Sequence, residues 1–140
     1  MARIITDLNQ LKQKSQPVLN VDSFEIQELI NLMYKTMGEK GGVGLAAVQV
    51  GNPIRIFVVD WKNKKYEFIN PQIEKMSDKK EIQQEGCLSV PGVYVDVARS
   101  QKISISAVDR CGKKIKLKAD GMLARIIQHE FDHLEGILII

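Results

Sequence analysis

The chain has two histidines, and they stand four apart in the segment His129-Glu130-Phe131-Asp132-His133. Residues at that spacing lie one above the other on the same face of an α-helix, so both imidazoles can reach a single metal ion. Glu130 is one step round the helix. A carboxylate there can sit beside a metal-bound water without ligating the metal, which is the position a general base needs. The competing explanation is a coincidence of residue types on an amphipathic helix. A catalytic tetrahedral site generally takes three protein ligands and keeps the fourth position for water, so a third ligand has to be found. Cys87 is the leading candidate, because Glu85-Gly86 precedes it and Leu88-Ser89-Val90-Pro91-Gly92 forms a turn-like exit where a thiolate can face a cavity. Its competing role is that of a small buried apolar residue. Cys111, in the turn signal Asp109-Arg110-Cys111-Gly112, reads as an incidental thiol.

A second segment, Gly42-Val43-Gly44-Leu45-Ala46-Ala47-Val48-Gln49, has the glycines of a tight helix-to-strand connection. It lacks the Gly-Lys-Ser/Thr ending of a phosphate-binding loop, and no strand leads into it. Gln49 is the exception in an otherwise apolar run. A buried amide needs hydrogen-bond partners, and a substrate carbonyl is one of the candidates.

Positioning these groups falls to a small set of elements. Phe24, Ile26, Leu29, Ile30, Leu32, Met33 and Met37 recur at three-and-four spacing, which predicts an amphipathic helix from Phe24 to Met37, capped by Ser23 and stopped at Gly38. Arg55–Asp60 and Lys64–Ile69 predict a hairpin, with Lys62-Asn63-Lys64 as its turn and Asn70-Pro71 as its terminator. Val93–Val97 alternates. Ile103, Ile105 and Ala107 alternate with serines before the Asp109–Gly112 turn and a return through Ile115 and Leu117, a second hairpin. Helical spacing returns from Gly121 to Glu135, with Asp120 as N-cap and Gly136 as stop. The expected fold is α+β in a single domain, residues 1–140, with antiparallel hairpins packed around a C-terminal metal-binding helix and one N-terminal amphipathic helix.

Composition narrows the function classes. Twenty Lys and Arg against seventeen Asp and Glu leave +3, well short of the concentrated charge of a dedicated nucleic-acid binder. The lysine-rich pieces, Lys62–Lys65, Lys79-Lys80 and Lys113–Lys118, read as solvated loops and strand faces. Two cysteines are too few for a disulfide framework, and no apolar run approaches a signal peptide or a membrane span. A cytoplasmic protein is the expectation.

Three segments, in order, resemble the motifs of the peptide deformylase family: Gly42–Gln49 as given above, Glu85-Gly86-Cys87-Leu88-Ser89, and Gln128-His129-Glu130-Phe131-Asp132-His133-Leu134-Glu135-Gly136. The likeness continues through Ile69-Asn70-Pro71, Val90-Pro91-Gly92 and Ala107-Val108-Asp109-Arg110, so it covers nearly the whole chain. The resemblance implies one divalent metal, natively Fe²⁺ with Zn²⁺ or Ni²⁺ able to substitute, held by Cys87, His129 and His133. Mixed thiolate and imidazole ligation suits those metals and argues against Mg²⁺ or Ca²⁺. It further implies Glu130 as the base, and the Leu88 backbone N–H and the Gln49 amide as donors to the formyl oxygen. The substrates would be N-formylmethionyl nascent peptides and the product formate, with transient ribosome contact, a monomeric state, and no membrane or specific nucleic-acid partner. Gly44 falls in the first motif, and Val43, Met122 and Ile126 are candidates for the pocket of the methionine side chain. Ile126 and Met122 lie one and two turns before His129 on nearly the same face. Glu85, Arg99 and Asp132 are candidates for contacts behind the site, with ordinary surface pairing as the alternative. Many family members continue beyond the Gly136 region into a C-terminal helix or tail, whereas this sequence stops at Ile140 and reads as a short form. The alternatives to a deformylase are a metallopeptidase using the same helix, and a catalytically silent binder of nascent N-termini.

Overall fold

In the computed structural model residues 3–140 are described. Their elements are α1 (Leu8–Leu11), α2 (Phe24–Glu39), β1 (Gly44–Ala46), a 3-10 turn (Ala47–Val50), β2 (Ile56–Trp61), β3 (Lys64–Met76), β4 (Lys80–Gly86), β5 (Tyr94–Ser100), β6 (Lys102–Val108), β7 (Lys114–Asp120) and α3 (Gly121–Leu134). Strands β1-β2-β3-β6-β7 form an antiparallel sheet in that order, and β4 and β5 pair as a separate antiparallel ribbon. The α+β expectation is met.

The two faces of the large sheet explain the two apolar helices. The continuous apolar run of β2 buries side chains on both sides. Phe57 and Val59 join Phe68, Ile105, Ile127 and Leu134 under α3, while Ile56 and Val58 join Ile30, Met33 and Met37 under α2. On the β6–β7 hairpin, Ile103, Ile105 and Ala107 point inward, as the alternation predicts. The first hairpin turns at Lys62 and Asn63, both with positive φ, 51° and 64°. Two consecutive left-handed residues make the turn type whose twist matches the flanking strands.

Several sequence-based boundaries are corrected. Gly38 does not stop α2. The helix runs to Glu39, and the left-handed residue that ends it is Gly41, at φ 71°. Asn70-Pro71 does not terminate β3, which continues to Met76. The register against β6 shifts between Ile69 and Gln72, and a proline is tolerated in that irregularity because no ladder donor is needed there. Asn70 adopts φ 50°, and its amide pairs with both the N–H and the C=O of Val18, at 2.8 and 2.9 Å. Asp120 occupies the N-cap position of α3, yet its side chain makes no capping bond. The short α1, β1 and all of β4 are additions to the sequence-based picture.

Candidate metal centre and active-site cleft

α3 is the element that positions the site. Its apolar stripe, with Ala124, Ile127 and Leu134, packs on the sheet, and the side of the helix turned to the β4–β5 ribbon carries Arg125, His129 and His133. The spacing does what a helix requires: the two imidazole centroids lie 5.2 Å apart. Gln128 fixes the helix against β5, its amide pairing with both the N–H and the C=O of Ser100 at 3.1 and 2.9 Å. Cys87 follows β4, in a loop closed by a bond from Val90 N–H to Cys87 O. Ligating atoms of Cys87, His129 and His133 all lie within 4.8 Å of one another.

This donor set fits a divalent transition metal. An ion bound at roughly 2.0–2.3 Å to corners of a tetrahedron holds its donors about 3.3–3.8 Å apart. Cys87 Sγ and His133 Nε2 are 3.4 Å apart. His129 Nδ1–H donates to Glu85 Oε1 at 2.9 Å, which fixes the tautomer and leaves Nε2 for a cation. Thiolate and imidazole together suit iron, zinc or nickel rather than magnesium or calcium.

The charges around the centre are ordered by Glu85. Arg99 Nε and Nη2 donate to its two oxygens at 3.0 and 2.9 Å, and Arg125 Nη1 to Oε2 at 2.5 Å. Burial opposes ionisation of Glu85, but the bonds from His129 and Arg99 outweigh it and hold the carboxyl down to about 2. Arg99 also reaches Asp132 Oδ2 at 2.6 Å, so Glu85, Arg99 and Asp132 do meet behind the site. Burial pulls His129 down, yet its bonds with Cys87 and Glu85 carry it up to about 10. Burial and then the positive charge of His129 and Arg99 push His133 down to about 3.

Glu130 is buried, and burial pushes it up to about 7 against the pull of His129 and Arg99. Its Oε2 lies 4.0 Å from His129 Nε2, and its Oε1 has no hydrogen-bond partner among the described residues. Gly44 is the floor beneath it, since a Cβ there would come within 2.7 Å of Glu130 Oε2. Gln49 is buried in the 3-10 turn. Its Oε1 accepts from Ala46 N–H at 2.9 Å, and its Nε2 donates to Ser89 Oγ at 3.1 Å and points at Cys87 Sγ at 3.5 Å. The Leu88 N–H has no acceptor among the described residues.

A cleft of about 780 Å³ opens over this centre. Val43, Gly44, Gln49, Cys87, Leu88, Met122, Ile126, His129 and Glu130 all line it, while His133 lies behind its wall. Ile126 is buried, and Val43 and Met122 are each 42% exposed, so both are open to a ligand. Cys111 is exposed and is not part of the group that could hold the ion. Sequence reasoning missed Arg125 and Ser89. Arg125 had a readable signal, an arginine one turn before His129 on the helix's most apolar stretch. Ser89 had none, because its role depends on where Gln49 points.

On this α+β scaffold a thiol and two imidazoles able to hold a metal stand beside a buried carboxylate under an open cleft, the arrangement of a metal-site protein with a base at hand. The particular family follows from comparison: the sequence profile of polypeptide deformylase matches residues 1–140, and the chain belongs to that family. It is similar to the peptide deformylase of Treponema pallidum (strain Nichols), 47% identical over 126 residues that make up 90% of this chain and 77% of that protein. The crystal structure of peptide deformylase from Thermotoga maritima superposes with a TM-score of 0.95 at 38% identity, over 99% of this chain and 95% of that one. The peptide deformylase of Synechococcus elongatus in complex with actinonin has a TM-score of 0.93 at 40% identity, over 98% and 75% of the two chains.

Proposed function

We propose that this deformylase hydrolyses the N-formyl group from N-formylmethionyl peptides, releasing formate and a free amino terminus. The observation that carries the reading is the convergence of Cys87, His129 and His133 beside the unpartnered Glu130 oxygen at the base of one cleft. Residues 1–140 act as one catalytic domain in this reading. The metal is Fe²⁺, with Zn²⁺ or Ni²⁺ as working substitutes, and the setting is the cytoplasm, where nascent chains are made.

When bound, the ion supplies Lewis-acid activation of water and of the formyl carbonyl. The chain's own groups account for the rest. Glu130, whose affinity for a proton burial has raised, takes one from the attacking water as the C–O bond forms. It delivers that proton to the nitrogen as the C–N bond breaks. The negative charge that develops on the former formyl oxygen accepts hydrogen bonds from Leu88 N–H and Gln49 Nε2. Ala46 and Ser89 hold the Gln49 amide in its buried position, so little reorganisation accompanies the reaction. Val43, Gly44, Met122 and Ile126 bound the space for the methionine side chain. The glycine keeps the reacting carbon close to Glu130, because any larger residue would occupy its place.

Formate release from formyl-Met-Ala-Ser by protein loaded anaerobically with Fe²⁺ tests the reading. Turnover should fall about 10²- to 10⁴-fold in Glu130→Gln. Folded, metal-loaded protein that releases no formate would overturn it, and cleavage of the Met-Ala bond instead would indicate a peptidase.

A further inference from the structure

The cleft that ends at Glu130 carries two cations on its exposed rim that the metal centre does not use. Arg3 lies two residues before Ile5, whose N–H donates to Gln49 O at 2.7 Å, and Lys40 is the C-cap residue of α2. Both line the cleft and both are exposed. Neither makes an ion pair among the described residues, whereas Arg125, the third cation on the lining, is committed to Glu85 and to the carbonyls of Val97 and Glu81. The acidic side chains that line the cleft are Glu85 and Glu130, both buried at the centre. The cleft is therefore polarised: its carboxylates are at the base and its free cations at the rim.

The rim and the buried carboxylate belong to one cleft. β1 runs from Gly44, against Glu130, into the buried core at Ala46. A peptide whose first residue is held at Glu130 cannot follow β1 inward, so the rest of it lies along the open cleft, whose lining includes Arg3 and Lys40. We infer that Arg3 and Lys40 select formylated peptides that carry acidic residues downstream of the methionine. The inference rests on the deformylase reading and adds a sequence preference to it. Basic side chains at the same places meet like charge and are disfavoured.

The test compares three amidated peptides, formyl-Met-Ala-Asp-Glu, formyl-Met-Ala-Ser-Ser and formyl-Met-Ala-Lys-Lys, each preference read as a ratio within one protein. Exposed pairs are individually weak, so kcat/KM for the acidic peptide should exceed that for the basic one about three- to tenfold at low salt. The ratio should shrink toward one in about 0.5 M salt. In Arg3→Glu/Lys40→Glu the order should invert. The affinities of the corresponding fluorescent acetyl-Met peptides, read by anisotropy, should follow the same order and need no turnover. An acidic preference in those affinities without formate release would leave the rim assignment standing and sink the deformylase reading. An order that is the same in the double variant, in rate and in affinity, would overturn the rim assignment whatever the activity.

Discussion

At the scale of single residues, the site depends on how little room Glu130 has. The carboxylate is buried and meets Gly44 face on, so the glycine is needed for close approach, not for an unusual backbone conformation. Gly44→Ala would put a methyl group within 2.7 Å of Oε2 and 2.9 Å of Cγ, and the whole carboxylate would have to move. Misplacing a catalytic group by a fraction of an ångström to an ångström costs up to about a hundredfold in rate. The expected outcome is a fall in kcat of about ten- to a hundredfold with little change in KM, and a folded protein by circular dichroism. Unchanged kcat would mean that Glu130 has another position from which it works. Residues of this kind were partly legible before the structure: the His-Glu-x-x-His spacing and the Glu-Gly-Cys-Leu-Ser run contain Glu85, Cys87, His129, Glu130 and His133, which come together here, but neither contains Arg99 or Arg125. The Gln49–Ser89 bond was not legible, because the contact joins the 3-10 turn to the loop after β4 across forty positions of sequence.

At the scale of elements, legibility followed the hydrophobic pattern and failed where the pattern was absent. α3, β2 and the β6–β7 hairpin bury apolar side chains at regular spacing, and the sequence showed them. β4, Lys80–Gly86, is a polar strand. Its single large apolar residue, Ile82, is 68% exposed, and the residue it buries is Glu85. What seats Glu85 inward is a set of charged hydrogen bonds from Arg99, Arg125 and His129, which no periodicity reveals. β1 was hidden differently, since a run of Leu, Ala, Ala and Val reads equally as strand or helix. The same polar packing makes Arg125 a joint between α3 and the ribbon, because it also donates to Val97 O and Glu81 O. Arg125→Met should lower stability by about 2–4 kcal/mol, as expected when a buried carboxylate loses one of its partners. With Glu85 less firmly placed behind His129, metal affinity should fall about ten- to a hundredfold. Urea unfolding and competition with a chromogenic chelator measure the two effects separately, and a loss of stability with metal affinity intact would separate Arg125 from the centre.

At the scale of the whole molecule, the metal centre joins parts that the two apolar cores hold only indirectly. One core lies between the sheet and α3 and the other between the sheet and α2, and neither includes a residue of the β4–β5 ribbon. The ribbon is tied to α3 by Glu85, by Arg99, by Arg125, by the Gln128–Ser100 pair and by the approach of Cys87 to His133, all of them polar contacts. An ion bound at once by Cys87 from the ribbon side and by two histidines from the helix closes a loop of more than forty residues in the folded state alone. Binding to the native state at a thousandfold excess over Kd adds about 4 kcal/mol, which for a chain of this size raises Tm by roughly 10 °C. Stripping the metal with a chelator should therefore lower Tm by about that amount, and readdition of Fe²⁺, Ni²⁺ or Zn²⁺ should restore it. In Cys87→Ser the loaded and stripped proteins should melt much closer together, because the ribbon then offers the ion a poor ligand. Phe68→Ala, buried between the sheet and α3, should lower both melting temperatures and leave their difference intact. Equal melting of loaded and stripped wild-type protein would show that the protein's own polar contacts, from Glu85, Arg99, Arg125 and Gln128, hold the ribbon without the ion, and that the ion contributes to the chemistry without contributing to the fold.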